Sequence, residues 1–263
     1  MSGRKLVVIY SANQKVMQPR MNRAVILAGG KGTRLLPYTI VMPKPMLPIG
    51  EIPIIEIISK QLKYYGFDNV TVSLGHLSGI IKLFLESKVG SAGFPNFDFV
   101  HENSPLGTSG PLKAVNPAEE DFFVINGDIL TTLNMRQMYE SHIEMQSCLT
   151  VGVRQTDYQL PLGSITIDEL SNITEFIEKP VSTHLDNIGA YVYSSRALDF
   201  IEKNEKIDVN ILIKRLIKAK EKVVAFRSDG PYYWIDIGTH ADYEKANLNF
   251  SNIIKSMPYL EKE

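Results

Sequence analysis

An apolar strand, Ala24-Val-Ile-Leu27, runs straight into three glycines within four residues, Gly29, Gly30 and Gly32. Without Cβ atoms, such a turn lets backbone N–H groups converge on an anion. Lys31 and Arg34 lie inside the turn, and Lys44 stands between Pro43 and Pro45 just before a predicted helix. Fixed cations beside a Gly-rich strand end point to a phosphate chain. Two common phosphate loops do not fit. The P-loop needs its lysine after a longer run, followed by Ser or Thr. The dinucleotide fingerprint begins at Gly30-Lys-Gly32 but meets Leu35 where its third glycine belongs.

The hydrophobic pattern alternates strand and helix through residue 130. Strands are predicted over 24–27, 69–74, 97–101 and 122–126, with helices over 54–65 and 79–86 and a short helix over 110–115. Phe122-Phe-Val-Ile-Asn126 is apolar throughout, as suits a strand buried on both faces. A mostly parallel sheet wrapped by helices follows, with ligands outside the carboxyl ends of its strands. The Gly-rich turn and Gly127-Asp128 both fall at such ends, so they are expected to converge.

Past residue 150 short β segments dominate: 149–153, 164–167, 173–177 and 188–193. Helices over 196–203 and 209–220, strands over 223–226 and 232–235, and a terminal helix over 241–254 follow. One domain with two lobes is expected over 21–263: a nucleotide lobe over 21–148 and a β-rich lobe over 149–263. Residues 1–20 read as an N-terminal extension without the apolar core or cleavage site of a signal peptide.

Composition excludes several classes. The net charge of −1 gives no basic footprint for nucleic acid or an anionic membrane surface. No apolar run approaches the ~18 residues of a membrane span. A single cysteine, Cys148, cannot form an internal disulfide. A cytoplasmic enzyme is expected; homo-oligomerisation is left open.

The run from Gly29 through Arg34-Leu35, Pro37-Tyr-Thr39 and Pro43-Lys-Pro-Met-Leu-Pro48 resembles the signature of the sugar-1-phosphate nucleotidyltransferases, and the resemblance extends over nearly all of residues 23–250. It implies a Rossmann-like α/β/α sandwich with a second, β-rich sugar-binding lobe. The implied reaction joins a nucleoside triphosphate to a sugar 1-phosphate, giving a nucleotide sugar and pyrophosphate. On this resemblance Leu27, Ala28, Gly29, Gly30, Gly32 and Thr33 cradle the triphosphate. Arg34 clamps its outer phosphates, and Lys44 sits near the α-phosphate and the attacking oxygen. Asn126-Gly127-Asp128 resembles the family's first metal motif and Trp234-Ile-Asp236-Ile-Gly-Thr239 its second. Asp128 and Asp236 are thus expected to hold Mg²⁺, an ion that prefers oxygen ligands. Taken alone, Asp128 would instead read as the N-cap of a helix over 131–144.

Gly107-Thr108-Ser-Gly110 resembles the family's base-reading segment, and Glu102 precedes it. A carboxylate only accepts hydrogen bonds, which suits the adjacent N1–H and N2 amino donors of guanine and favours GTP. In the second lobe Gly163, the Glu178-Lys179-Pro180 run, and Asn187 with Gly189 resemble the segments that hold the sugar phosphate. The expected acceptor is mannose 1-phosphate or a related hexose or heptose phosphate. Uridylyl, thymidylyl or cytidylyl transfer on another sugar 1-phosphate is the nearest rival. A non-catalytic nucleotide-sugar-binding regulator is a rival of another class. A glycosyltransferase is disfavoured by the lack of an Asp-x-Asp motif. The left-handed β-helix of longer relatives is not expected.

Overall fold

The computed structural model describes residues 23–102, 104–115 and 121–260, so the expectation for residues 1–20 lies outside the described residues. Its centre is a seven-stranded sheet. From one edge the strands run Val223–Phe226, Leu149–Gln159, Val181–Tyr193, Phe122–Asn126, Arg23–Ala28, Asn69–Leu74 and Asn96–His101. Val181–Tyr193 is antiparallel to both its neighbours, and every other pairing is parallel.

Strand side chains alternate between faces, and here each face has its own core. Ala24 and Ile26 pack with Phe123 and Ile125 on one side, under the helices Ile54–Tyr64, Ser78–Glu86 and Met135–Met145. Val25, Phe122 and Val124 pack on the other, under the helix Val209–Lys218 and the turns Gly110–Ala114 and Ser195–Phe200. Phe122–Val124 can be wholly apolar because both faces are covered. The result is the expected Rossmann-like α/β/α sandwich. Among the described residues, no helix is long and apolar enough to cross a membrane.

Chain order places the site. From Arg23–Ala28 the chain builds outward through Asn69–Leu74 to Asn96–His101, then returns to add Phe122–Asn126 on the opposite side. The strand order therefore reverses between Arg23–Ala28 and Phe122–Asn126, where open α/β sheets leave a crevice.

Three segments differ from expectation. The helix anticipated over 131–144 begins later, at Met135, with the Asn134 side chain accepting from the Gln137 N–H at 3.0 Å. Asp128 is therefore free of capping duty. The preceding Ile129–Thr131 forms an antiparallel pair with Trp234–Asp236. The third difference is larger. Leu149–Gln159 and Val181–Tyr193 continue well past the segments 149–153 and 188–193, forming a projecting ribbon tipped by the hairpin of Ser164–Ile167 and Ile173–Ile177. Most of the added residues are polar and exposed, and the apolar ones among them, Tyr158, Val181 and Leu185, are exposed too, so no burial pattern marked them in sequence.

Candidate active site

The Gly-rich turn is shaped by close backbone approach. A Cβ on Gly75, at the end of the neighbouring strand, would sit 2.5 Å from the carbonyl oxygen of Gly29. Gly32 adopts a left-handed conformation at φ 63°, which starts the short turn Thr33–Leu35. The Thr39 hydroxyl donates to the Gly32 carbonyl at 2.8 Å. A Cβ on Gly32 would meet Thr39 Cγ2 at 2.9 Å and Lys44 Cβ at 3.2 Å, so the loop folds onto the lysine. Across the crevice, Gly127 N donates to the Leu27 carbonyl at 2.8 Å and fixes the two strand ends together.

Between these ends lies a cavity of about 280 Å³ lined by Leu27, Gly29, Gly30, Glu102, Pro105, Gly107, Thr108, Asn126 and Asp128. Six of the expected nucleotide-binding residues are among them; Ala28, Gly32 and Thr33 stand outside this lining and shape the turn. A larger cleft of about 660 Å³ runs past Thr132, Tyr233 and Asn249, but it presents no charged side chain to hold a phosphate. Glu102 crosses behind the glycine turn: a Cβ on Gly29 would meet Glu102 Oε1 at 2.3 Å. Its Oε1 accepts from the Ser73 hydroxyl at 2.9 Å and its Oε2 from the Leu106 N–H at 3.1 Å. Gly107-Thr108 is latched to the helix Val209–Lys218. The Thr108 N–H donates to Asp208 at 3.1 Å, and the Thr108 hydroxyl accepts from the Val209 N–H at 2.8 Å.

The charged groups meet at the mouth of this cavity. Lys44, 8% exposed, hydrogen-bonds Asp128 Oδ2, and its Nζ lies 3.5 Å from Asp236 Oδ1. One ammonium thus bridges two carboxylates. Asp236 arrives beside Asp128 because it pairs with Ile129, and the Ile237 N–H donates to the Asp128 carbonyl at 2.9 Å. Arg34 reaches the same point. A Cβ on Gly238 would lie 3.2 Å from both Arg34 Nη2 and Asp236 Oδ2. Burial, and then the charge of Asp128, push the Asp236 carboxyl above the ordinary range, against the pull of Lys44 and Arg34. His240 donates from Nε2 to the Leu36 carbonyl at 2.7 Å, tying the last helix to the loop after Arg34.

Among the described residues no three His, Cys, Asp or Glu side chains cluster as a metal cage. Asn126 Oδ1 and Asp128 Oδ1 are buried without a hydrogen-bond partner, and Asp236 Oδ1 has only the long 3.5 Å contact from Lys44. Such orphaned acceptors cost free energy unless a donor or cation meets them. Two carboxylates with a neighbouring amide oxygen fit Mg²⁺, which keeps several waters and takes further oxygens from phosphate.

Of the second-lobe residues, the structure brings two to the site. The Gly189 N–H donates to Asn187 Oδ1 at 2.9 Å, and Gly189, at φ 71°, lies so close to Asn126 that a Cβ would meet its Nδ2 at 2.7 Å. Gly163, Glu178 and Lys179 sit instead on the exposed ribbon. Val181 is six positions along an extended strand from Asn187, about 20 Å at the usual rise per residue. Sequence reasoning missed Ser73, Gly75 and Asp208, and named Asn126 within its motif without giving it a role. Only Asn126 carried a signal, being the polar end of a buried strand next to Gly127-Asp128.

A sequence profile of the nucleotidyl transferase family matches residues 23–252. The chain belongs to this family. It is 30% identical over 245 residues to a UTP–glucose-1-phosphate uridylyltransferase from Synechocystis sp., spanning 62% of that protein's length and 85% of its own. It is also 30% identical to the D-glycero-α-D-manno-heptose 1-phosphate guanylyltransferase of Aneurinibacillus thermoaerophilus, over 88% of this chain and 99% of that protein. Among solved structures, HddC from Yersinia pseudotuberculosis complexed with GMP-PN superposes with a TM-score of 0.65 at 30% identity, covering 88% of this chain and all of HddC.

Proposed function

We propose that this nucleotidyl transferase family member transfers a nucleotidyl group from a nucleoside triphosphate to a sugar 1-phosphate, with GTP as donor and mannose 1-phosphate or a related hexose or heptose phosphate as acceptor. The observation that carries this reading is the convergence of Arg34, Lys44, Asp128 and Asp236 at the mouth of a Gly-lined cavity. The names of the relatives, one guanylyl and one uridylyl, support the reaction class and divide on the base.

In this reaction an oxygen of the sugar phosphate attacks the α-phosphorus as the bond to the β-phosphate oxygen breaks, and pyrophosphate leaves with the bonding pair. The attacking oxygen is already ionised at neutral pH, so no general base is needed. The demands are positioning and charge neutralisation. Backbone N–H groups at Gly29 and Gly30 face the phosphates, while the Arg34 fork suits paired phosphate oxygens. Lys44 offsets the repulsion between two approaching anions. Asp128, Asp236 and Asn126 would hold Mg²⁺, which supplies charge neutralisation on the phosphates when bound.

Glu102 carries the base preference, since each carboxylate oxygen keeps a lone pair beyond the bonds from Ser73 and Leu106. Those same bonds favour a second reading, in which Glu102 only braces the loop and the donor is UTP. The deciding experiment crosses ATP, GTP, CTP, UTP and dTTP with mannose, glucose, glucosamine and heptose 1-phosphates, measuring pyrophosphate. GTP should dominate. UTP dominance would transfer the assignment to the second reading, and silence from every pair would leave a non-catalytic binder.

A further inference from the structure

We propose that Asp208 is a positioning residue for nucleotide recognition, holding the segment that lines the base end of the crevice without touching the nucleotide itself. The inference rests on the nucleotidyl-transfer reading of that crevice.

The start of the helix Val209–Lys218 is capped from outside the helix. An aspartate at a helix N-cap ordinarily turns its carboxylate back to the second or third N–H of its own helix. Asp208 stands at that position with extended backbone, φ −91° and ψ 155°, and makes no such bond. Its Oδ1 accepts instead from the Thr108 N–H at 3.1 Å, and the Thr108 hydroxyl accepts from the Val209 N–H at 2.8 Å. Two segments 100 positions apart thus serve as each other's cap.

The backbone completes the latch. The Ile207 carbonyl accepts from the Ser109 and Gly110 N–H groups at 3.0 and 3.1 Å, and the Ile207 N–H donates to the Leu106 carbonyl at 2.9 Å. Gly107, at φ 78°, passes so close that a Cβ would lie 2.6 Å from Asp208 Oδ1 and 2.7 Å from the Ile207 carbonyl oxygen. Of these five bonds between Ile207–Val209 and Leu106–Gly110, four use backbone groups on the helix side. Almost any residue could supply those. Only the bond to Asp208 depends on which side chain is present, so this position decides how firmly the latch closes.

What the latch holds is the recognition surface. Glu102, Pro105, Gly107 and Thr108 line the cavity beside the glycine turn. The Leu106 N–H donates to Glu102 Oε2 at 3.1 Å, so the residue that Ile207 holds also orients the carboxylate assigned to the base. Asp208 is exposed and is not among the lining residues, so a loss there reaches the nucleotide only through the loop. Its exposure limits the effect to that of one ordinary hydrogen bond, about 3- to 10-fold in affinity.

The test uses the full chain and the pyrophosphate assay. Asp208→Ala should raise the KM for the preferred triphosphate about 3- to 10-fold, with kcat and the KM for the sugar 1-phosphate near wild type. The ratio of kcat/KM for the preferred base over the next should fall with it. Asp208→Asn, which keeps the acceptor oxygen, should restore both. Val209→Pro approaches the latch from the other side. It deletes the N–H given to Thr108, and proline is tolerated at the first helical position after an extended residue. This change alone should raise the same KM. A triphosphate KM unchanged in both Asp208→Ala and Val209→Pro, or losses spread equally over both substrates, would overturn the proposal. The nucleotidyl-transfer reading fails separately, if wild-type protein releases no pyrophosphate. Calorimetric titration with GTP and UTP then decides the latch: weaker binding to Asp208→Ala than to wild type and Asp208→Asn supports it, and equal or absent binding throughout overturns it.

Discussion

Lys44 and Asp128, 84 positions apart in sequence, are joined by a hydrogen bond across the mouth of the crevice, and the same ammonium faces Asp236. Remove it, and two carboxylates confront each other with Arg34 as the remaining cation that acts on Asp236 among the described residues. Lys44→Met should lower pyrophosphate release by about 10²–10³-fold, the usual loss when one group stabilising transition-state charge is deleted. Steady-state assays should place the loss in kcat rather than in KM for the triphosphate.

Partial burial, and then the charge of Asp128, hold the Asp236 carboxyl above the ordinary carboxylate range. The folded state therefore holds this proton more tightly than the unfolded chain does. Its contribution to stability is present below the unfolded pKa and lost as pH rises through the folded one. Asp236→Asn should accordingly raise the melting temperature at pH 7, and the gain should vanish in acid below the ordinary Asp range. A gain unchanged by acid would mean that charge is not its source.

Mg²⁺ dependence should track the same pair. Chelation with EDTA should abolish turnover and added Mg²⁺ restore it. Asp128→Ala and Asp236→Ala should each remove measurable turnover at millimolar Mg²⁺, with folding intact by circular dichroism.

Glu102→Gln tests base reading directly. If the carboxylate meets guanine, the ratio of kcat/KM for GTP over UTP should fall by 10-fold or more, about 1.4 kcal/mol. Ser73→Ala, which removes only a partner of Glu102, should leave the ratio close to wild type. Unchanged selectivity in Glu102→Gln would assign the residue to bracing the loop.

Gly75 is the least obvious target. A methyl group there would press on the backbone of Gly29 at 2.5 Å, and backbone cannot swing aside as a side-chain end can. Gly75→Ala should cost about 1–3 kcal/mol in urea unfolding and weaken nucleotide binding by calorimetry.

Much of this was legible in the chain. Segments 69–74 and 122–126 became strands with those bounds: the first alternates Val70, Val72 and Leu74 with polar residues, and the second is the unbroken apolar run that burial on both faces allows. Arg34, Lys44, Asp128 and Asp236 meet as their motifs implied. The ribbon was not legible, since alternating polar residues such as Thr156 and Ser182 carry no record of a cross-strand partner. Ser73 and Gly75 were equally silent. Their roles come from standing beside Glu102 and Gly29, and those adjacencies exist only once strand 69–74 lies between strands 96–101 and 23–28.

The small pairing of Ile129–Thr131 with Trp234–Asp236 also sets a schedule for synthesis. The bond between Tyr233 N and the Thr132 hydroxyl spans 101 positions, and Asp236 lies beyond it. While the chain emerges from the ribosome, the glycine turn and Asp128 can fold long before their second carboxylate exists. A nascent chain would therefore lack the paired carboxylates until all seven strands of the central sheet have been made. The pair of carboxylates proposed to hold Mg²⁺ would thus be completed late, with only the helix His240–Ile253 and the turns after it still to come.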